Sequence, residues 1–407
     1  MIKSRLQQCN PLIPLLLAAG VFIAPASAQL ALSASQAVQI YASSTPVADA
    51  VCATLKKDAN NIFLFRSTWN ATYKYYGPLT DPQHTRVTGS TVQNKDIFTI
   101  PSALQSKVVV ASSPLPTVSA IPAYKCVNFY LKNVYDLGGG KLLGFLHLEY
   151  MAWNRNSNGT YTPGYDPTLG GADHYSIGLA YSTNSGDSWT FCGDIIRTQD
   201  KTVNLGSANI GGAAYIVVGS NIYVYFNEKS TSSTSPYPSV AMAKISDVAT
   251  EAVNHTVTPW KKYNAATKAF DQDAITGVGS QIIAGVALDM HTDAAYCAAL
   301  KQYLIVVSEN VTQSLYLYRS RNGIDWAKSR FLAQSYVGSD GYVHQPCYPY
   351  FASLNSDANS DNSTVGKAFS IFYISQHFAN NMVPSDEPVW RVNFKVSDML
   401  PIANMLK

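Results

Sequence analysis

His147 and Glu149 stand two residues apart at the end of Leu142–Leu148 (LLGFLHL), a run that reads as a strand, so both side chains leave the same face. A carboxylate beside an imidazole can act as a tuned proton donor or as a cation ligand. The plainer reading is a hydrogen-bonded pair that stabilises a strand end. Asp289-Met-His291-Thr-Asp293 repeats the alternation and could hold a metal, although that spacing alone is weak support. Asp49 and Glu228 add carboxylates, and Arg66, Asn209, His344 and His377 add polar groups. A pair of acids, one ionised and one protonated, is what cleavage of a glycosidic bond needs.

These residues are scattered over most of the chain, so a repeated framework must gather them. Four segments share a short β run ending in serine: Ser176–Ser182, Ser239–Ser246, Ser314–Ser320 and Trp390–Ser397. Their terminal serines recur roughly every 70 residues, and each run follows two further strand patterns, which is the mark of propeller blades. Fourth strands open near Trp189, Trp260 and Trp326, and no long amphipathic helix is expected. A first blade begins near Asp49, with strands Ala50–Leu55 and Ile62–Arg66. The expected fold is all-β, a five-bladed β-propeller, with Ala31–Tyr41 pairing against Trp390–Val396 as an N-terminal closing strand.

In such a ring the start of each inner strand and the end of the second strand surround one mouth of the channel. Asp49, Arg66, Asn128, His147, Glu149, Asn209, Glu228, Asp289, His291, Asp293, Glu309, His344 and His377 then share a rim. Four of the seven histidines fall there. Clustered imidazoles and carboxylates at a concave mouth suit acid–base chemistry or tight polar binding. The competing reading is that a water-filled channel needs polar walls in any case.

Lys3 and Arg5, the apolar stretch Leu12–Ile23 and Ala26-Ser27-Ala28 follow the order of a secretory signal. Residues 1–28 are therefore expected to be a signal peptide, 29–407 a single propeller domain, and the protein secreted, extracellular or periplasmic. Without Lys3 and Arg5 the 29 basic residues fall to 27 against 26 acidic ones, which leaves no electrostatic case for nucleic acid. No later segment is apolar enough to span a membrane. Charged residues are 14% of the chain and aromatic ones 12%, a balance suited to uncharged polar ligands such as sugars, although tyrosine is also simply a good strand residue. Cys297–Cys347 is the expected disulfide, Cys52–Cys126 a second, and buried thiols the alternative.

Two turns carry a recognisable pattern. Ser182-Thr-Asn184-Ser-Gly186-Asp-Ser188-Trp189 resembles the Asp-box hairpin of sialidases and related propellers, with Asn for the usual Asp, and Ser320-Arg-Asn322-Gly323-Ile-Asp325-Trp326 resembles its shorter form. With Asp49 on the first inner strand, the mature chain looks like the five-bladed arabinanase, β-xylosidase and fructosidase relatives. That resemblance implies a base or nucleophile at Asp49. It also implies acids on the inner strands of the second and third blades, where this chain has Asn128 and Asn209. Glu149 or Glu228 would then replace the missing acid, with His147 and Asp293 tuning protonation. Sialidases need three arginines, and only Arg66 falls on the rim.

Two functions stand on this reading. One is a glycoside hydrolase acting on a neutral oligo- or polysaccharide, catalytic through Asp49, Glu149 and Asp293, with Arg66, His147, Asn209, Glu228, His291 and His377 binding substrate. The other is a non-catalytic carbohydrate-binding propeller. No cofactor is required. An axial calcium held through His344, as the resemblance implies, is the alternative to a water-filled channel, and a monomer is expected.

Overall fold

The computed structural model describes residues 30–41, 51–56, 61–68, 71–78, 92–94, 98–99, 108–110, 116–118, 125–151, 154–155, 161–162, 174–197, 210–229, 235–286, 292–309, 312–338, 341, 343–353, 358–377 and 389–398. Among the described residues, 30–31 and 397–398 belong to one unit and 32–396 to the other. The second unit carries the sheets.

After β1 (Leu30–Ala34) and β2 (Val38–Tyr41) comes a four-stranded sheet, β3 (Val51–Lys56), β4 (Asn61–Thr68), β5 (Ala71–Pro78) and β6 (Val92–Asn94), paired in chain order. Three short strands, β7 (Phe98–Thr99), β8 (Val108–Val110) and β9 (Pro116–Val118), flank a second sheet. Its body is β10 (Lys125–Gly138), β11 (Lys141–Met151), β14 (His174–Ser182) and β15 (Trp189–Ile196), with β12 (Asn154–Arg155) and β13 (Tyr161–Thr162) paired separately. The third sheet runs β16 (Gly211–Val218), β17 (Asn221–Glu228), β18 (Tyr237–Lys244), then helix α1 (Ile245–Val253), β19 (Lys261–Asn264) and β20 (Ala269–Asp273). The fourth holds β21 (Asp293–Cys297), β22 (Gln302–Glu309), β23 (Ser314–Ser320) and β24 (Trp326–Gln334). The fifth holds β25 (Tyr336–Val337), β26 (Val343–Ala352), β28 (Ala368–His377) and β29 (Val389–Asp398); β27 (Thr364–Val365), which precedes β28, pairs back onto β21 of the fourth.

Period-two alternation explains why sheets stack on both faces. In β17, Ile222, Val224 and Phe226 pack with Phe145, Ile177 and Leu179 of the second sheet, whereas Tyr225 packs with Ile305, Val307 and Tyr318 of the fourth. In β22 the alternate residues Leu304 and Val306 join Phe351, Phe369 and Ile371 of the fifth. Strands sandwiched this way are apolar throughout, and the result is a propeller arrangement. Four blades are evident, one fewer than expected, and three apolar interfaces join the second to the fifth sheet.

The tight turns form where the sequence placed them. Asn184 Oδ1 accepts from Ser188 N at 2.9 Å, Ser182 Oγ accepts from Gly186 N at 2.9 Å, and Gly186 takes φ +84°. Trp189 then reaches back to donate to Gly186 O at 3.2 Å. Gly144 makes room for it, because a Cβ there would lie 2.8 Å from the Trp189 ring. At the second turn Asn322 Oδ1 accepts from Ile324 N and Asp325 N, and Gly323 O accepts from Tyr225 Oη of the neighbouring sheet at 2.8 Å. The third sheet departs from the pattern, since α1 replaces the hairpin. Its Val248 and Ala252 are buried in the same cluster as Trp260.

The N-terminal strands pair as expected with the last strand. Val38 lies opposite Arg391 and Gln39 opposite Trp390, and Ser33 Oγ donates to Lys395 O at 3.1 Å. The expected Cys297–Cys347 disulfide is absent. Both are buried thiols outside any disulfide, as is Cys192, and Cys297 Sγ donates instead to Gly366 O at 3.6 Å. The side chains of Cys52 and Cys126 lie outside the described residues.

Candidate functional site at the inner strand ends

Each inner hairpin brings the start of one strand beside the end of the next. Cys52 lies opposite Arg66, Asn128 opposite Glu149, Tyr130 opposite His147, Gly211 opposite Asn227, and His344 opposite His377. Asp293 begins β21 and Glu309 ends β22. The backbone therefore puts Arg66, His147, Glu149, Glu228, Asp293, Glu309, His344 and His377 at the same strand end of their hairpins. Asp49, Asn209, Asp289 and His291 lie outside the described residues, as do the side chains of Arg66, Glu149 and His377.

The three described carboxylates are buried, and protein groups hold each of them. Asp293 Oδ2 accepts from Phe351 N at 2.7 Å, and Asn133 hydrogen-bonds the same carboxyl while donating to Ala213 O at 3.1 Å. Lys132, also buried, supplies the opposing charge. One carboxylate thus ties β10, β16, β21 and β26 together. Ala213 sits in a β-bulge at φ +98°, a strained conformation for a residue with a side chain. Burial pushes the Asp293 carboxyl up to about 6, against the pull of Lys132 and the hydrogen bonds.

Glu228 is 1% exposed. Its Oε1 meets Lys262 Nζ at 2.5 Å and its Oε2 accepts from Gly279 N at 2.7 Å. Lys262 spends its other donors on Arg197 O and Gly277 O, both at 2.8 Å, so the ammonium is fully satisfied. Burial raises the acid and lowers the base, and their mutual charge opposes both shifts. The pair joins the third sheet to the end of β15 in the second. Glu309 is held similarly. Lys328 Nζ lies 2.7 Å from Oε1 and over the Tyr316 ring, Thr312 donates at 3.2 Å, and Tyr318 donates to Oε1. Burial first and Glu309 second push the Tyr318 phenol up.

His147 is 3% exposed, with its ring 5.7 Å from Tyr130 and 5.2 Å from Tyr175. That environment is an aromatic core and not an open substrate wall. His344 is buried against Tyr336, its ring 4.9 Å away. Among the described residues no three His, Cys, Asp or Glu side chains converge to hold a metal ion.

Sequence reasoning missed the lysines. Lys132 and Lys262 lie within strand runs, and their only signal was a charge at an apolar-phased position. It also missed Asp361, whose carboxyl accepts from Asp136 N at 2.9 Å and Ser363 N at 3.0 Å, with burial pushing it up. This group sits beside the β10–β11 turn, at the end of that hairpin away from Glu149. The adjacent β27 runs parallel to β21.

Among the described residues no helix is long and apolar enough to cross a membrane. No protein-family model matches the chain, and no curated protein matches it. Among solved structures the chain is similar to a family 117 glycoside hydrolase of the marine bacterium Zobellia galactanivorans, at 9% identity and a TM-score of 0.48, over 92% of this chain and 94% of that one. It is also similar to the catalytic domain of a family 62 α-L-arabinofuranosidase of Coprinopsis cinerea, at 9% identity and a TM-score of 0.44, over 88% and 96% of the two chains. A thermostable family 43 glycoside hydrolase is similar at 11% identity and a TM-score of 0.41, over 88% of this chain and 97% of that one.

Proposed function

We propose that this chain is a secreted, glycosidase-like five-bladed propeller that acts on a neutral oligo- or polysaccharide, with Asp49 as base or nucleophile and Glu149 as acid. The carrying observation is the shared strand end: five hairpins in register bring arginine, histidine and carboxylate positions to one end of their sheets. Support for five blades comes from the inner strands, which touch in the cycle β3, β10, β16, β21, β26 and back to β3. The two turns at Asn184 and Asn322, with their side-chain-to-backbone bonds, are what Asp-box hairpins require. Residues 1–28 would be the signal peptide, and residues 29–407 the domain.

Because protein groups hold Glu228, Asp293 and Glu309, the chemistry falls to Asp49 and Glu149. In this scheme Arg66 and the second-strand neighbours position substrate, and Asp293 acts through the inner strands. The separation of the two carboxyls would set retention near 5–5.5 Å or inversion near 6.5–9.5 Å. A non-catalytic glycan binder is the second reading, favoured by that same engagement of every described rim carboxylate. Hydrolysis of a panel of neutral glycans by wild type, Asp49→Asn and Glu149→Gln decides between them. The enzyme reading expects loss in both variants. Activity untouched in both overturns the assignment, and no hydrolysis by wild type alongside glycan binding favours the binder.

A further inference from the structure

Strand β25 is the end strand of its sheet, with Tyr336 opposite His344 and Val337 opposite Val343. His344 also lies opposite His377, so this small hairpin stands at the rim end of the fifth sheet. The Tyr336 ring stacks on the buried His344 imidazole with planes 8° from parallel. Tyr336 itself is 41% exposed. One aromatic face is held from behind while the ring stays open to solvent. Before it, Ser335 Oγ donates to Gln313 Oε1 at 3.1 Å and Ser335 N donates to Gln313 O at 2.9 Å, which anchors the start of the strand.

We propose that Tyr336 is a stacking platform for one sugar ring of a neutral glycan, a subsite apart from the Asp49–Glu149 pair. The proposal rests on the glycan reading above and adds where the chain of sugars is gripped. A flat π face held from behind by His344 suits the C–H face of a pyranose or furanose. Other occupants fit less well. A strand of two residues offers an added peptide almost no ladder. A stable protein partner needs about 800 Å² per side, far more than one ring. An ionic ligand finds little to pair with, since residues 335–344 include one acid, Asp340, and no Lys or Arg.

Val337 and Val343 point to the opposite face of the hairpin, which supplies a control. Native affinity gels containing soluble arabinan, xylan or mixed-linkage β-glucan would compare wild type with Tyr336→Ala, Tyr336→Phe and Val337→Asp. A polysaccharide that retards wild type is expected to bind Tyr336→Ala about tenfold more weakly, the loss of one aromatic contact, and to bind the other two variants unchanged. Should Tyr336→Ala fold poorly, nitration of Tyr336 by tetranitromethane in wild type supplies the second measurement, and the same polysaccharide should slow it. Equal retardation of Tyr336→Ala, or nitration indifferent to polysaccharide, overturns the platform and leaves the glycan reading standing. If none of the probes retards wild type, both fall.

Discussion

Replacing Asp293 with Asn tests the reading that burial, more than Lys132, governs this carboxyl. Its ordinary value of 3.8 is raised to about 6 in the folded protein. At about 1.4 kcal/mol per pH unit, that difference is worth about 3 kcal/mol. The folded state holds the proton more tightly than the unfolded chain. The contribution is therefore fully present below about pH 3.8 and is lost as pH rises through 6. Asn cannot titrate, so the variant lacks this slope. Asn also carries no charge toward Lys132, so at pH 7 it lacks the attraction that ionised Asp293 has, whereas at pH 4 the two side chains are alike in charge. Urea unfolding of both proteins at pH 4, 5, 6 and 7 gives the comparison, and subtraction removes Glu228 and Asp361, which titrate in both. The wild-type minus variant difference in unfolding free energy should fall by about 2.4 kcal/mol from pH 4 to pH 7, because Asp in the unfolded chain is already largely ionised at pH 4. A gap that widens with pH would show that the Lys132 pairing outweighs desolvation, and a constant gap would show that Asp293 does not titrate in this range.

Removing one partner from the buried Glu228–Lys262 pair leaves the other charge orphaned, so Lys262→Met should destabilise by about 3–5 kcal/mol in urea unfolding at neutral pH. A change below 1 kcal/mol would mean that the pair is solvated. Deleting residues 29–42 removes β1 and β2 from β29 and should lower the melting temperature sharply, because an edge and its packing are exposed; an unchanged melting temperature contradicts that. Cys192, Cys297 and Cys347 should resist a thiol reagent in the native state and react on unfolding, as mapped by peptide mass spectrometry. Burial pushes the Cys192 thiol up to about 12, so rapid native labelling there would refute its placement.

Much of the strand order could be read from the chain, because alternation and turn chemistry are local. The serine-ended runs became β14, β18, β23 and β29, except that β18 stops at Lys244 and the expected end of its run, Ile245–Ser246, opens α1. Trp189 and Trp326 open fourth strands, and Asn184 and Asn322 close the turns, since each motif satisfies its own backbone within a few residues. The hairpin registers that gather the rim positions follow from the same period-two pattern.

Side-chain availability is a different matter. His147 and Glu149 were paired on strand alternation, yet His147 is enclosed by Tyr130 and Tyr175, contacts set by the neighbouring strands. Glu228 sat at a rim position on paper, but Lys262, 34 residues later, reaches back to neutralise it. The Cys297–Cys347 bridge failed for a similar reason, because adjacency of inner strands does not aim two sulfurs at one another. What the sequence determined alone was the set of interactions closed within a hairpin or a repeat: strands, turns, blade spacing and the polar character of the strand ends. Which of those polar groups are spent on holding sheets together only the tertiary structure decided, because a buried charge must find its partner across sheets, and no local pattern encodes that distance.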